Sequence, residues 1–185
     1  MTRKKKLIIT VVAAVLMLCV SIGLTLAYIS ASSNPVLNTF TIGNVDIALS
    51  ETTGLTYPLL PGTTVEKDPT LVVHTGSDAC WLFFTIEEDV NLTHFISFEI
   101  AEGWTLLEQG HHNVYYRQVD ATYKDIAFPL IKNNSVQIYD TITEEDLAGL
   151  HSTPILKFTG YAIQKKGMTT VHDAWHQISE EVTDK

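Results

Sequence analysis

Cysteine is nearly absent. The 185-residue chain has two, Cys19 and Cys80. Cys19 lies in an apolar run near the start, so removal of that run leaves Cys80 alone and excludes an internal disulfide. Cys80 sits in Ala79-Cys80-Trp81-Leu82-Phe83-Phe84, where a buried small hydrophobe is expected; an intermolecular bridge is the alternative.

Positive charge is scarce too. The 12 Lys and Arg face 21 Asp and Glu, and four of the 12 are Arg3, Lys4, Lys5 and Lys6. Beyond residue 27 the balance is eight against 21, a formal −13. Such a surface repels nucleic acid and anionic lipid, so no nucleic-acid partner is expected. There is no HExxH, the pattern that sets two imidazoles and a general base on one helical face, no GxSxG elbow and no Gly-rich phosphate loop. No catalytic, cofactor-binding or metal residue is therefore assigned, and no cofactor is expected. Internal repeats and low-complexity segments are missing as well.

What is present begins with export. The basic start precedes an apolar run from Leu7 to Leu26, and Lys and Arg are retained on the cytoplasmic face. Thr25 and Ala27 stand at −3 and −1 of a cut between Ala27 and Tyr28, and Gly23 loosens the end of the apolar helix. The run also reaches the ~20 residues that span a bilayer, so retention as an anchor competes with cleavage. Residues 1–27 are read as a signal peptide, a helix through which alone the chain meets a membrane. Residues 28–38 are read as an extended arm, polar, small and holding Pro35, and residues 39–185 as one domain with a real core.

That domain reads as strands. Phe40 and Ile42 alternate with Thr39 and Thr41; after Gly43-Asn44 the alternation resumes out of phase at Val45, Ile47 and Leu49, predicting a strand pair or one bulged strand. Residues 50–62 form a loop closed by Pro61-Gly62. Residues 63–73 are extended and broken at Asp68-Pro69, where a proline predicts an edge or bulge. Residues 79–87 place Cys80, Leu82, Phe84 and Ile86 on one face and Trp81 and Phe83 on the other, the pattern of a strand buried between layers. Residues 92–100 alternate again, and 103–108 with 113–119 form a hairpin. Two short strands, 128–131 and 136–139, flank an Asn133-Asn134 turn. Residues 144–150 form a short helix, 155–164 a strand, and 170–178 a helix capped by Thr170, with Val171, Trp175 and Ile178 on one face. Dominant strands, short helices and turns every ten residues or so predict an all-β, antiparallel sandwich.

Several polar groupings invite chemistry. His172 and His176 are four apart on the last helix, a spacing that can hold a metal, but a solvated helix face explains them. His111 and His112 are neighbours in a turn and rarely point the same way. Glu87-Glu88-Asp89 and Glu144-Glu145-Asp146 lack the alternating ligands of a calcium loop. Asn91-Leu92-Thr93 and Asn133-Asn134-Ser135 match a glycosylation sequon, a short pattern that recurs by chance.

The basic start, the apolar run ending TLAYIS, and NTFTIGNVDIALSE resemble exported proteins of Gram-positive bacteria whose signals are cut by a SipW-type signal peptidase, the TasA/CalY (camelysin) family. LLPGTTVEKDPTLVVHTGSDACWLFFTIEE, the central hairpin region and GYAIQKKGMTTVHDAW are similar to the wider group. Residues 100–150 are the least distinctive. The resemblance implies a jelly-roll-like sandwich, secretion to the cell surface or extracellular matrix, and self-association into biofilm fibres with other matrix or surface proteins as partners. It implies that the arm completes the sheet of the next subunit, with Tyr28, Ile29, Ser30, Ala31, Val36 and Leu37 as the donor strand. Pro35 removes one donor from that arm, and Ser30, Ser32 and Ser33 give little apolar grip. Camelysin-like members carry a metallo-endopeptidase label, so a secreted protease is an alternative, and a monomeric surface-binding module is another. The C-terminal end has no hydrophobic tail or LPxTG signal, so no covalent wall anchoring is expected.

Overall fold

The computed structural model describes residues 38–54, 57–88, 92–108, 113–150 and 154–183. The fold is an all-β, sandwich-like arrangement of mostly antiparallel sheets with short helices. Its elements in chain order are β1 (Asn38–Ile42), β2 (Ile47–Ser50), β3 (Thr64–Glu66), β4 (Thr70–Val73), β5 (Cys80–Glu88), a 3-10 turn (Leu92–His94), β6 (Ile96–Ile100), β7 (Thr105–Leu106), β8 (Val114–Val119), β9 (Ile126–Pro129), β10 (Ile131–Ile138), α1 (Glu144–Ala148), β11 (Leu156–Gln164) and α2 (Val171–Thr183). One layer is five-stranded, in the order β1-β11-β5-β8-β7. The facing strands form two three-stranded sheets, β2-β4-β9 and β3-β10-β6. Backbone bonds from Leu130 N to Pro69 O (2.9 Å) and from Lys67 N to Asn134 O (2.8 Å) link these two sheets where their strands change over.

Strand β5 is the spine. Its strict alternation sends Cys80, Leu82, Phe84 and Ile86 into the core between the layers, with Leu71, Val73 and Ile138 facing them. Phe83 points the other way, into a second core closed by α2, where it meets Ala174, Trp175 and Ile178. Thr170 starts that helix: its hydroxyl accepts from Asp173 N (3.1 Å), and Asp173 Oδ2 accepts from Thr170 N (3.0 Å). The reciprocal bonds satisfy two otherwise orphaned donors. Trp175 then packs at 5.3 Å from Phe83 and 5.4 Å from Tyr161, ring centre to ring centre. Full burial of a side chain such as Ile178 contributes roughly 1.5–3 kcal/mol.

The structure corrects several expectations. The segments on either side of Gly43-Asn44 are not partners. β1 pairs with β11 and β2 with β4, so the phase slip is a crossing between layers rather than a bulge. Gly43 makes that crossing at φ +87, where a Cβ would come within 2.7 Å of Gln164 Cβ. The β1–β11 pairing is parallel, unlike every other pairing in the molecule's described residues. Asp68-Pro69 is also a crossing, from edge strand β3 to central strand β4. Asn133 and Asn134 do not separate two strands. They lie inside β10 at φ 55 and 52 and absorb a register shift between Ile131 and Val136. Residues 92–94 form a 3-10 turn before β6. Asn38, placed at the end of the arm from sequence, is the first residue of β1.

Candidate functional site

The arm meets the domain at its rim. Residues 38–42 lie parallel to 159–163, so β1 is the outermost strand of the five-stranded layer. Phe40 stacks on Tyr161 at 5.3 Å with rings 14° apart, which anchors β1 through one face while Thr39 and Thr41 stay exposed. Beside it runs a shallow groove lined by Phe40, Thr41, Ile42, Ile178, Glu181 and Val182. Ala27 and Tyr28, expected at the signal cut, and Tyr28, Ile29, Ser30, Ala31, Val36 and Leu37, expected as a donor strand, lie outside the described residues.

A second feature was not foreseen. Lys67 and Glu51, which follow β3 and β2, form an ion pair with Nζ 2.6 Å from Oε1, and their side chains are 6% and 1% exposed. Tyr57 donates to the same Glu51 oxygen at 2.9 Å. Lys67 Nζ also lies 5.2 Å from the centre of the Tyr57 ring. Burial, reinforced by Glu51 and Asp68 and opposed by the Thr53 bond, pushes the Tyr57 phenol up to about 12, so it remains a donor. Next in sequence, Asp68 accepts from Thr52 N (2.8 Å), Thr53 N (3.0 Å), Thr53 Oγ1 (2.8 Å) and the Thr52 hydroxyl. Partial burial works to raise the Asp68 pKa, but these bonds outweigh it and hold the carboxyl well below the usual range. The cluster clasps the loop after β2 against the start of β4. Its only trace in the sequence is the Lys67-Asp68-Pro69 run, quoted above as part of a resemblance. The ion pair and the bonds to Asp68 fasten the loop to the strand start.

Arg117 is held differently. Its guanidinium stands 4.1 Å from the Phe128 ring centre and 5.2 Å from that of Trp104. Nε is buried and has no hydrogen-bond partner among the described residues, and burial lowers the side chain's pKa. Trp104 is fixed by its own bond to Pro129 O at 2.9 Å. The rings thus stabilise this charge in place of a carboxylate.

Among the described residues the histidines do not converge. His176 Nδ1 is 3.5 Å from Glu180 Oε2 on an exposed helix face, His74 Nδ1 is 3.2 Å from Asp125 Oδ2 at a surface turn, and His111 and His112 lie outside the described residues. Glu144, Glu145 and Asp146 occupy the first turn of α1, and Glu87 pairs with Lys157 at 2.7 Å. Among the described residues no three metal-ligating side chains cluster, and no helix is long and apolar enough to cross a membrane.

No family model, curated protein or solved structure matches the chain.

Proposed function

We propose that the protein is an exported structural subunit of the cell surface or biofilm matrix, and that it self-assembles by donating residues 28–37 to the sheet of another copy. One observation carries the reading. The arm runs directly into β1, a strand at the rim of the five-stranded layer. Ten residues can span at most roughly 33–36 Å, enough to meet a second molecule. Strand addition of this kind draws affinity from main-chain hydrogen bonds and register from alternate side chains. The resemblance to the TasA/CalY family supports the same reading, with a SipW-type signal peptidase releasing the arm at Tyr28.

The test is the secreted form. Tyr28 as its first residue, filaments by electron microscopy, and their loss on deletion of residues 28–37 are the expected results. Met1 at the N-terminus, or filaments that survive the deletion, overturns the proposal. Zinc content and chelator-sensitive proteolysis of the same preparation test the protease alternative.

A further inference from the structure

The chain has two arginines, Arg3 in its basic start and Arg117 in β8. Arg117 stands opposite Leu82 of β5, so its side chain runs between the layers, toward Phe128 of β9 and Trp104 before β7. The two rings take up the flat face of the guanidinium. Its N–H donors do not lie on that face; they point outward in the guanidinium plane. Nε is buried and finds no acceptor among the described residues. No ion pair among the described residues includes Arg117, although the chain carries 21 Asp and Glu. A polar group left in this way calls for a partner from outside the fold. The neighbouring backbone keeps the terminal fork clear. Gly103 has φ +85, and a Cβ there would stand 3.0 Å from Nη2 and 3.4 Å from both Cζ and Nη1. Any side chain at 103 would press on the two terminal nitrogens, and glycine leaves them uncovered.

We infer that Arg117 is the binding site for a small organic monoanion, whose carboxylate accepts from Nη1 and Nη2 and whose apolar body lies beside Trp104 and Phe128. Three features set the ligand class. Two parallel N–H groups in one plane match the two oxygens of a carboxylate. A single guanidinium offsets a single negative charge, and the formal −13 beyond residue 27 works against a dianion such as phosphate. The aromatic walls, with Leu106 47% exposed opposite Tyr115, suit a ligand that carries apolar surface. Those walls also keep water from the face of the charge, which strengthens its attraction for an anion in the plane. The site is independent of whether the chain assembles.

The test uses the full-length chain in non-ionic detergent with Arg3→Lys, so that Arg117 is the only arginine and gives the only Nε–Hε signal in a proton–nitrogen correlation spectrum. Sodium benzoate is titrated against sodium chloride at matched ionic strength, with benzamide as the neutral counterpart and sodium phosphate as the dianion. A saturable shift of the Arg117 signal at millimolar benzoate, absent with chloride and benzamide, is expected. Arg117→Lys keeps the charge and loses the fork, so it is expected to weaken binding about tenfold or more, followed through the Trp104 indole N–H signal. No shift, a shift linear in benzoate, or one matched by chloride or benzamide overturns the site. A saturable response to phosphate as strong as that to benzoate overturns the carboxylate class. Undiminished binding by folded Arg117→Lys puts the ligand elsewhere and overturns the inference. Should that variant fail to fold, the titration read at Arg117 itself decides alone.

Discussion

Lys67 Nζ and Glu51 Oε1 stand 2.6 Å apart with their side chains almost wholly withdrawn from water. Breaking such a pair from one side strands the other charge, which costs about 3–5 kcal/mol. Lys67→Met and Glu51→Leu are each expected to lower the unfolding free energy by that amount, read from urea titrations. The double variant Lys67→Met, Glu51→Leu is expected to lose less than Lys67→Met alone, because no ion remains uncompensated. A double loss equal to the sum of the singles would contradict the coupling.

Asp68 makes stability pH-dependent. Its folded-state pKa lies below the ordinary 3.8 because four bonds from Thr52 and Thr53 outweigh desolvation. The contribution is therefore complete above the unfolded-state value and is lost as pH falls from there toward the folded value. Asp68→Asn should be less stable than the parent at pH 7, with the gap narrowing below about pH 4. Denaturant titrations at pH 7 and pH 3 check this; a constant gap would refute it.

Cys80 is fully buried, and burial pushes its thiol up to about 12. A thiol that is neither ionised nor reachable does not attack disulfides. Ellman's reagent should label the native protein only at the rate of opening, and fully in denaturant. Rapid native labelling, or a Cys80-linked dimer, would show that β5 is more accessible than described.

Gly160 in β11 faces Leu71 of the opposing layer. A Cβ there would overlap Leu71 Cδ2 and stand 3.3 Å from Cγ. Gly160→Ala should cost about 1–3 kcal/mol through overpacking. Adding Leu71→Ala should recover part of that loss relative to Leu71→Ala alone, and strict additivity would argue against the clash. Thermal melts of the four proteins form the cycle.

The strongest strand was legible because both of its faces are apolar, so Cys80 to Ile86 could be read from alternation alone as buried between layers; that its second face is closed by α2 was not. The helix capped by Thr170 was legible through its cap and its Val171-Trp175-Ile178 face. Partnership was not. The slip at Gly43 and the break at Pro69 look like bulges in sequence because a bulge and a change of layer both interrupt a period of two. Asn133-Asn134 has turn chemistry, yet its left-handed residues serve a shift inside β10, since tertiary pairing on both sides carries the strand through. The Glu51–Lys67–Tyr57 cluster was invisible because loop closure, not spacing, brings those residues together. The arm expected from position and composition lies outside the described residues, and only the pairing of β1 with β11 shows which strand follows it.

The parallel register of β1 with β11 also sets a clock. Asn38 pairs with Thr159, and Ile42 with Ile163, so the first strand of the domain waits for nearly the last. At roughly 5–20 residues per second of synthesis, β1 spends seconds on the nascent chain before its own partner exists. A chain halted before residue 156 would present a bare strand on both sides, and truncated products of this gene should aggregate through residues 38–42.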